Sequence, residues 1–131
     1  MSKEIASKWY LQAKHDLEIA AKNIGIGGYD TCAFLCQQAV EKLLKAVITK
    51  RGGIIPRVHY LDDLSRTMTL PEDIQGHLID LTSDYTLARY PDVSDQMPFE
   101  MYTKELATEK LAAAKSVFQY FHGELSQLEG K

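Results

Sequence analysis

Apolar side chains recur at helical spacing in four long stretches of the chain. In the most regular of them, Cys36, Ala39, Val40, Leu43 and Val47 fall on one stripe when residues are plotted at about 100° each. The polar residues of this stretch fall on the opposite side and are Gln38, Glu41, Lys42 and Lys45. The pattern predicts an amphipathic helix whose apolar side faces a core, running from Tyr29 to about Arg51.

Two apolar residues interrupt the polar side of this helix. Phe34 projects among glutamine, glutamate and lysine side chains, and Ile48 lies at the edge of the same face. A purely solvated face rarely has this composition, and the alternatives for what the face meets are solvent, a second subunit and a nucleotide. Phe34 and Ile48 are the residues predicted for a homodimer interface.

Three more long helices and one short helix are predicted from the same periodicity. Glycines at 25, 27 and 28 end the first helix and reverse the chain into the second. The expected bounds are Lys3 to Ile24 for the first, residues 60–66 for the short one, Pro71 to Ala88 for the third long one, and Tyr102 or Thr103 to His122 for the last.

No segment alternates between apolar and polar residues over more than a few positions, which argues against strands. We therefore predict an all-α, up-and-down four-helix bundle with an additional short helix between the second and third long helices. One domain is expected over residues 1–131, with an irregular segment at 89–99 and a disordered tail from about residue 124.

Composition narrows the classes of protein that fit. The chain has 131 residues, 45% of them hydrophobic, and a net charge of −3, which excludes a protein that coats polyanions through general charge. No apolar run approaches the roughly 20 residues needed to span a bilayer, and the first residues do not form a signal peptide. A cytoplasmic protein without membrane contact is expected.

The two cysteines, Cys32 and Cys36, are four residues apart on the second helix and point to its core side. With no further cysteine in the chain, we expect reduced core packing and neither a disulfide framework nor a metal site. No cofactor is predicted.

Basic residues cluster at the end of the second helix and in the connector that follows. They lie within residues 45–59 and are Lys45, Lys50, Arg51, Arg57 and His59. Cations are favoured at a helix C-terminus by the helix dipole, which accounts for Lys50 and Arg51. The alternative is an anion site built from these residues together with Arg57 and His59.

Two charged residues lie on predicted inner faces. Asp16 falls between Ala13 and Ala20 on the first helix, where it could be a structural acid paired with a neighbouring helix, a catalytic acid or an exposed residue. Arg89 lies near the end of the third long helix and needs an anionic partner. The candidates within the chain are Asp16, Glu41 and Asp92.

Several segments together resemble one known family. They are Trp9, Ala13 and Asp16-Leu17; Gly28-Tyr29; Gln37-Gln38-Ala39-Val40-Glu41-Lys42-Leu43-Leu44-Lys45-Ala46; His59-Tyr60-Leu61; and Arg89-Tyr90-Pro91-Asp92. In this combination they resemble the HEPN domain over nearly the whole chain. The resemblance implies a bundle of four or five helices that forms a homodimer, in a toxin–antitoxin or defence setting, often with a minimal nucleotidyltransferase as partner.

Many members of that family are ribonucleases that need no metal and use an Arg-x(4–6)-His motif. In such a site the histidine moves a proton at the 2′-hydroxyl and the arginine stabilises the phosphorane. Arg89 matches the arginine, but Ser94, Asp95 and Gln96 occupy the positions where the histidine would fall. The motif is therefore incomplete, and His59 is the candidate that could replace the missing imidazole.

Three hypotheses follow. The leading one is a homodimeric module that binds a nucleotide, another phosphate ligand or a nucleotidyltransferase partner through Gln38, Glu41, Lys42, Lys45, Arg57, His59, Arg89, Tyr90 and Asp92. The second is a ribonuclease toxin in which Arg89 and His59 are catalytic. The third is a purely structural role, with Asp16, Glu41 and Arg89 in an internal ion network and Phe34 and Ile48 in a dimer interface.

Overall fold

The computed structural model describes residues 2–128, and of Ser2 only the backbone. These residues form seven α-helices and no strand, which confirms the predicted all-α bundle with a short helix between the second and third long ones. The helices are α1 (Ser2–Gly25), α2 (Tyr29–Lys50), α3 (Leu61–Leu64), α4 (Glu72–Thr82), α5 (Asp84–Leu87), α6 (Pro98–Met101) and α7 (Lys104–Leu125). Between residues 2 and 128, no helix has the length and apolar character needed to cross a membrane.

The first two helices form a hairpin and pack along each other more extensively than any other pair. Gly27 has a φ of +78°, a left-handed conformation that glycine adopts without strain, and the Gly28 amide donates to the Asn23 carbonyl at 2.8 Å. The predicted reversal at these glycines is confirmed. On α1, Ile5 has the helical spacing of a core residue but is 45% exposed, whereas Ala6 and Tyr10 are buried.

The core is centred on α2. The whole predicted stripe of this helix, Cys36, Ala39, Val40, Leu43 and Val47, is fully buried, and so is Cys32. Both cysteines are free thiols inside the core, as expected. On the polar side of α2, Gln37 and Glu41 are also buried, because α1 and the connector at residues 52–60 cover that side.

The third long helix is interrupted, whereas the pattern predicted one continuous helix from Pro71 to Ala88. The α4 helix ends at Thr82, Ser83 separates the two helices, and α5 begins at Asp84. A further short helix, α6, begins at Pro98, inside the segment 89–99 expected to be irregular, and ends at Met101. These two departures shape the part of the chain that carries Arg89.

A buried ionic cluster lies at the break between α4 and α5. Lys110 of α7 donates to the Asp80 carbonyl at 2.8 Å, and its Nζ lies 2.9 Å from Oδ2 of Asp84, whose Oδ1 accepts a hydrogen bond from the Tyr102 hydroxyl. Burial raises the pKa of Asp84, while the bonds from Tyr102 and Lys110 act in the opposite direction. The charged residues of α7 have the spacing of a solvated face, yet Lys110 is buried because the Asp80 carbonyl and the Asp84 carboxylate receive its ammonium group.

The C-terminal end is more ordered than expected up to residue 128. Helix α7 continues through Leu125 into a 3-10 turn at Ser126–Leu128, and Leu128 is buried. Glu124 accepts two hydrogen bonds of 2.8 Å from Arg51, which lowers the pKa of the Glu124 carboxyl. Residues 124–128 are therefore helical, where a disordered tail was expected from about residue 124. Residues 129–131 lie outside the described part.

Replacing Lys110 by methionine should destabilise the protein by about 3–5 kcal/mol, because it leaves the buried Asp84 carboxylate without its cation. Urea unfolding of the variant and the unmodified protein measures the difference in the free energy of unfolding. Lys115→Met on the exposed side of the same helix is the matched control and should change stability by less than about 0.5 kcal/mol. Adding Asp84→Leu to Lys110→Met should recover part of the loss, and equal effects of Lys110→Met and Lys115→Met would contradict the assignment.

Candidate functional site

The Glu41 carboxylate is buried on α2 and is surrounded by donors. Its Oε1 accepts hydrogen bonds from Nε2 of Gln37 at 3.2 Å and from Nε2 of Gln38 at 3.3 Å. Its Oε2 accepts from Nζ of Lys45 at 2.9 Å and lies 3.1 Å from Nδ1 of His59. Four of the predicted site residues, Gln38, Glu41, Lys45 and His59, are thus brought together in one network.

Gln37 belongs to this network, although the sequence pattern did not single it out as a site residue. Its amide also donates to the backbone carbonyl of His59 at 2.9 Å and accepts from Gln38 at 2.9 Å. This fully buried side chain therefore holds the connector against α2. The signal that could have identified it is an amide placed one turn before a glutamate on the same helix.

Asp16 and Lys42 form a second ion pair beside the first. Nζ of Lys42 contacts Oδ2 of Asp16, and Nε2 of Gln12 donates to the other carboxylate oxygen at 2.9 Å. Of the three interpretations of Asp16, a structural acid paired with a neighbouring helix is the one that agrees with these contacts. Nζ of Lys45 also lies 5.1 Å from the ring centre of Trp9, so Lys42 and Lys45 are both engaged within the chain.

Tyr85 brings His59 and Arg89 to one surface. The imidazole of His59 stacks on the Tyr85 ring with centres 4.5 Å apart and an angle of 11° between the planes. The guanidinium carbon of Arg89 lies 4.7 Å from the centre of the same ring. The apolar spacing of the third long stretch places Tyr85 on the core side, and its position one turn before Arg89 is the signal for this second role.

The Arg89 guanidinium rests among aromatic rings. Its Cζ lies 5.3 Å from the ring centre of Phe34 and 4.7 Å from that of Tyr90, and Nη2 donates to the Tyr90 hydroxyl at 2.6 Å. Interactions with Tyr85, followed by those with Tyr90, raise the pKa of Arg89 above its ordinary value. Because arginine keeps its proton throughout the physiological pH range, the side chain is a permanent cation.

No carboxylate within residues 2–128 pairs with Arg89. The three anionic partners considered from the sequence, Asp16, Glu41 and Asp92, are not its partners, since the first two bind other cations. An internal ion network that includes Arg89 is thus wrong. The exposed guanidinium remains available for an anion that is not part of the chain.

Other predicted residues lie apart from this surface. Arg51 is held by Glu124 at the opposite end of α2, so the basic residues at 45–59 do not form one cluster. Arg57 and Asp92 are exposed, with no hydrogen bond or ion pair to the rest of residues 2–128. Of the two residues predicted for a dimer interface, Phe34 lies beside Arg89, whereas Ile48 is about 21 Å further along α2 at 1.5 Å per residue.

Metal chemistry gains no support from the described residues. Among residues 2–128, no three side chains of His, Cys, Asp or Glu stand close enough to hold an ion together. The chemistry that the site itself offers is that of an exposed imidazole held by a carboxylate, close to an unpaired guanidinium.

The contact with Glu41 predicts the tautomer of His59. Because a carboxylate only accepts hydrogen bonds, the neutral ring should carry its proton on Nδ1 and leave Nε2 free. Long-range ¹H–¹⁵N NMR spectra report this directly, and Glu41→Gln should reduce the Nδ1–H population at His59. His15, His77 and His122 are internal controls that should not change, and a predominant Nε2–H form in the unmodified protein would contradict the assignment.

Comparison with known proteins identifies the family. The sequence model that describes the HEPN domain family matches residues 6–124 of the chain. The chain is 29% identical over 133 residues to "Putative toxin MJ1304" of Methanocaldococcus jannaschii, covering 91% of this chain and 87% of that protein.

Solved structures agree with this match. TT1696 from Thermus thermophilus is 30% identical with a TM-score of 0.86, covering 92% of this chain and 98% of the other. ST0689, an archaeal HEPN homologue, is 32% identical with a TM-score of 0.80, covering 92% and 97%. The sequence motifs, the helical bundle and these matches lead to one conclusion: the chain belongs to the HEPN family.

Proposed function

We propose that this protein binds a nucleotide or an unpaired RNA strand through one surface, formed by Phe34, His59, Tyr85, Arg89 and Tyr90, which we call the Arg89 surface. The observation that carries the proposal is an exposed, permanently charged guanidinium that lies over three aromatic rings and has no carboxylate partner within residues 2–128. Phosphate is the anion that best fits its planar set of donors.

The surroundings of Arg89 support a nucleic-acid ligand over a simple anion. Proteins that bind single strands combine cations for the backbone with aromatic faces for the bases. Tyr90 is 41% exposed and adjoins the guanidinium, so it can offer a ring to a base while Arg89 holds a phosphate. Arg57 and Asp92 flank the surface in sequence and remain candidates for outer contacts.

The network behind the surface supports positioning rather than direct binding. Gln38, Lys42 and Lys45 all bind carboxylates within the chain, and Glu41 is buried. In the proposal these residues fix His59 and the connector, and the ligand contacts His59, Arg89 and Tyr90. This narrows the set of binding residues expected from the sequence.

The relative from Methanocaldococcus jannaschii is named as a toxin, and this supports a toxin–antitoxin setting for this chain. We propose a homodimer and a minimal nucleotidyltransferase as the partner protein, as the family resemblance implies. Phe34 takes part in the Arg89 surface, so a dimer that used it would place two such surfaces near each other. Light scattering of the purified chain measures the oligomeric state, and a single-chain mass would contradict the dimer.

Arg89→Ala should weaken the binding of a short single-stranded RNA at least tenfold, because a charged hydrogen bond to phosphate contributes about 1.5–3 kcal/mol. Fluorescence anisotropy at low and moderate salt measures the affinity, which should fall as salt rises. Arg66→Ala is the matched control, since Arg66 is exposed and pairs with Asp63 away from the surface. Unchanged affinity in Arg89→Ala, or no binding by the unmodified protein, would refute the proposal.

A second candidate function, RNA cleavage without a metal, is favoured by the contact between Glu41 and His59. With Nδ1–H held by the carboxylate, Nε2 of His59 can take the proton of a 2′-hydroxyl. The 2′-oxygen then bonds to phosphorus, and the bond between phosphorus and the 5′-oxygen breaks as the 5′-oxygen takes the proton back from Nε2 of His59. Arg89 stabilises the charge on the phosphorane. His59 would thereby replace the histidine absent at residues 94–96.

Incubation of unstructured RNA with the protein in excess chelator tests this candidate. Cleavage should yield 2′,3′-cyclic phosphate ends and should fall by at least 100-fold in both His59→Ala and Arg89→Ala. His77→Ala is the control, because His77 lies on α4 outside the network. Intact RNA after long incubation, or cleavage that survives both substitutions, would refute RNA cleavage as a function of His59 and Arg89. Neither result would contradict the binding proposal.

A further inference from the structure

A hollow of about 220 Å³ has Arg89 in its lining and contains no residue of the His59 network. It lies between the start of α2, the end of α5 and the start of α6. Its lining includes Asp30, Arg89, Pro91, Met97, Pro98 and Phe99. Apart from Arg89, none of these side chains belongs to the Arg89 surface.

The apolar lining suits a flat ring. Phe99 is 67% exposed and Met97 is 43% exposed, whereas Pro98 between them is buried and fixes the start of α6. An exposed aromatic ring beside a hollow can stack on a base, and a thioether adapts to its outline. The wall therefore fits a planar heterocycle better than a sugar or a free phosphate.

The polar lining specifies the kind of heterocycle. Asp30 offers a carboxylate, and no hydrogen bond or ion pair within residues 2–128 engages it. A negative charge is favourable in the first turn of a helix, and this accounts for an acidic residue at position 30 of α2. It does not account for the hollow that Asp30 lines. A carboxylate only accepts hydrogen bonds, so it selects a base edge that donates.

Guanine is the base whose pairing edge presents two neighbouring donors, N1–H and the 2-amino group, which match the two oxygens of a carboxylate. Adenine and cytosine each offer one amino group, and uracil one ring N–H. Because Arg89 borders the hollow, a phosphate on the guanidinium would place an attached base within reach of it.

We infer that this hollow is a guanine subsite in which Asp30 reads the pairing edge, Phe99 stacks on the ring and Arg89 holds the neighbouring phosphate. The inference rests on the proposed function and deepens it by naming the base. The same contacts would serve a free guanine nucleotide and a guanosine within RNA.

Isothermal titration with mononucleotides tests the subsite. GMP should bind on the order of tenfold more tightly than AMP, CMP or UMP, with IMP, which lacks the 2-amino group, in between. Asp30→Asn should abolish the preference for GMP over AMP, and Phe99→Ala should weaken every base by about tenfold. Asp73→Asn and Tyr120→Ala are the matched controls, being an acid in the first turn of α4 and an exposed ring on α7.

A second titration separates the two sources of guanine. A uridine hexamer containing one guanosine is compared with the all-uridine hexamer and with GMP. Tighter binding of the guanosine hexamer than of GMP supports RNA as the source, and tighter binding of GMP supports the free nucleotide.

The outcomes distinguish the two proposals. The guanine subsite is refuted if the unmodified protein binds all four mononucleotides equally, or if Asp30→Asn keeps the preference for GMP. In either case the binding function stands as long as Arg89→Ala abolishes binding. If neither nucleotide nor RNA binds the unmodified protein, both are refuted.

Discussion

The buried carboxylate of Glu41 is the constraint on which the polar half of this protein depends. A charge removed from water must be paired and hydrogen-bonded, and Glu41 meets this requirement with donors from Gln37, Gln38, Lys45 and His59. Three of these donors come from α2 itself, but His59 comes from the connector. Satisfying the charge therefore fixes the connector and aims an imidazole at the surface where Arg89 lies.

Helical periodicity was sufficient to predict the architecture, because the stripe of α2 and the glycines before it depend only on local spacing. It could not predict the break at Ser83 or the burial of Lys110. Both depend on contacts between α7 and the end of α4, which are distant in sequence. A lysine that follows the solvated pattern can still be buried where a carbonyl and a carboxylate receive it.

The candidate site was predictable in its charged members and not in its geometry. His59 and Arg89 were selected as an acid–base and anion-binding pair, and both contact the Tyr85 ring. The partner of Arg89 was not predictable, because arginine pairs with carboxylates and stacks on aromatic rings with comparable ease. Tyr85 carries the periodicity of a core residue, so its role in the site is visible only in three dimensions.

The ionic cluster of Lys110 has a consequence for protein engineering. Tyr85 and Arg89 follow a helix break whose carbonyl and carboxylate are held by a lysine from a different helix. Transplanting residues 84–92 onto another bundle would therefore carry Tyr85, Arg89 and Tyr90 but lose the support that orients them. A graft that preserves the orientation of these three side chains must also include position 110 and its neighbours on α7, which are distant in sequence.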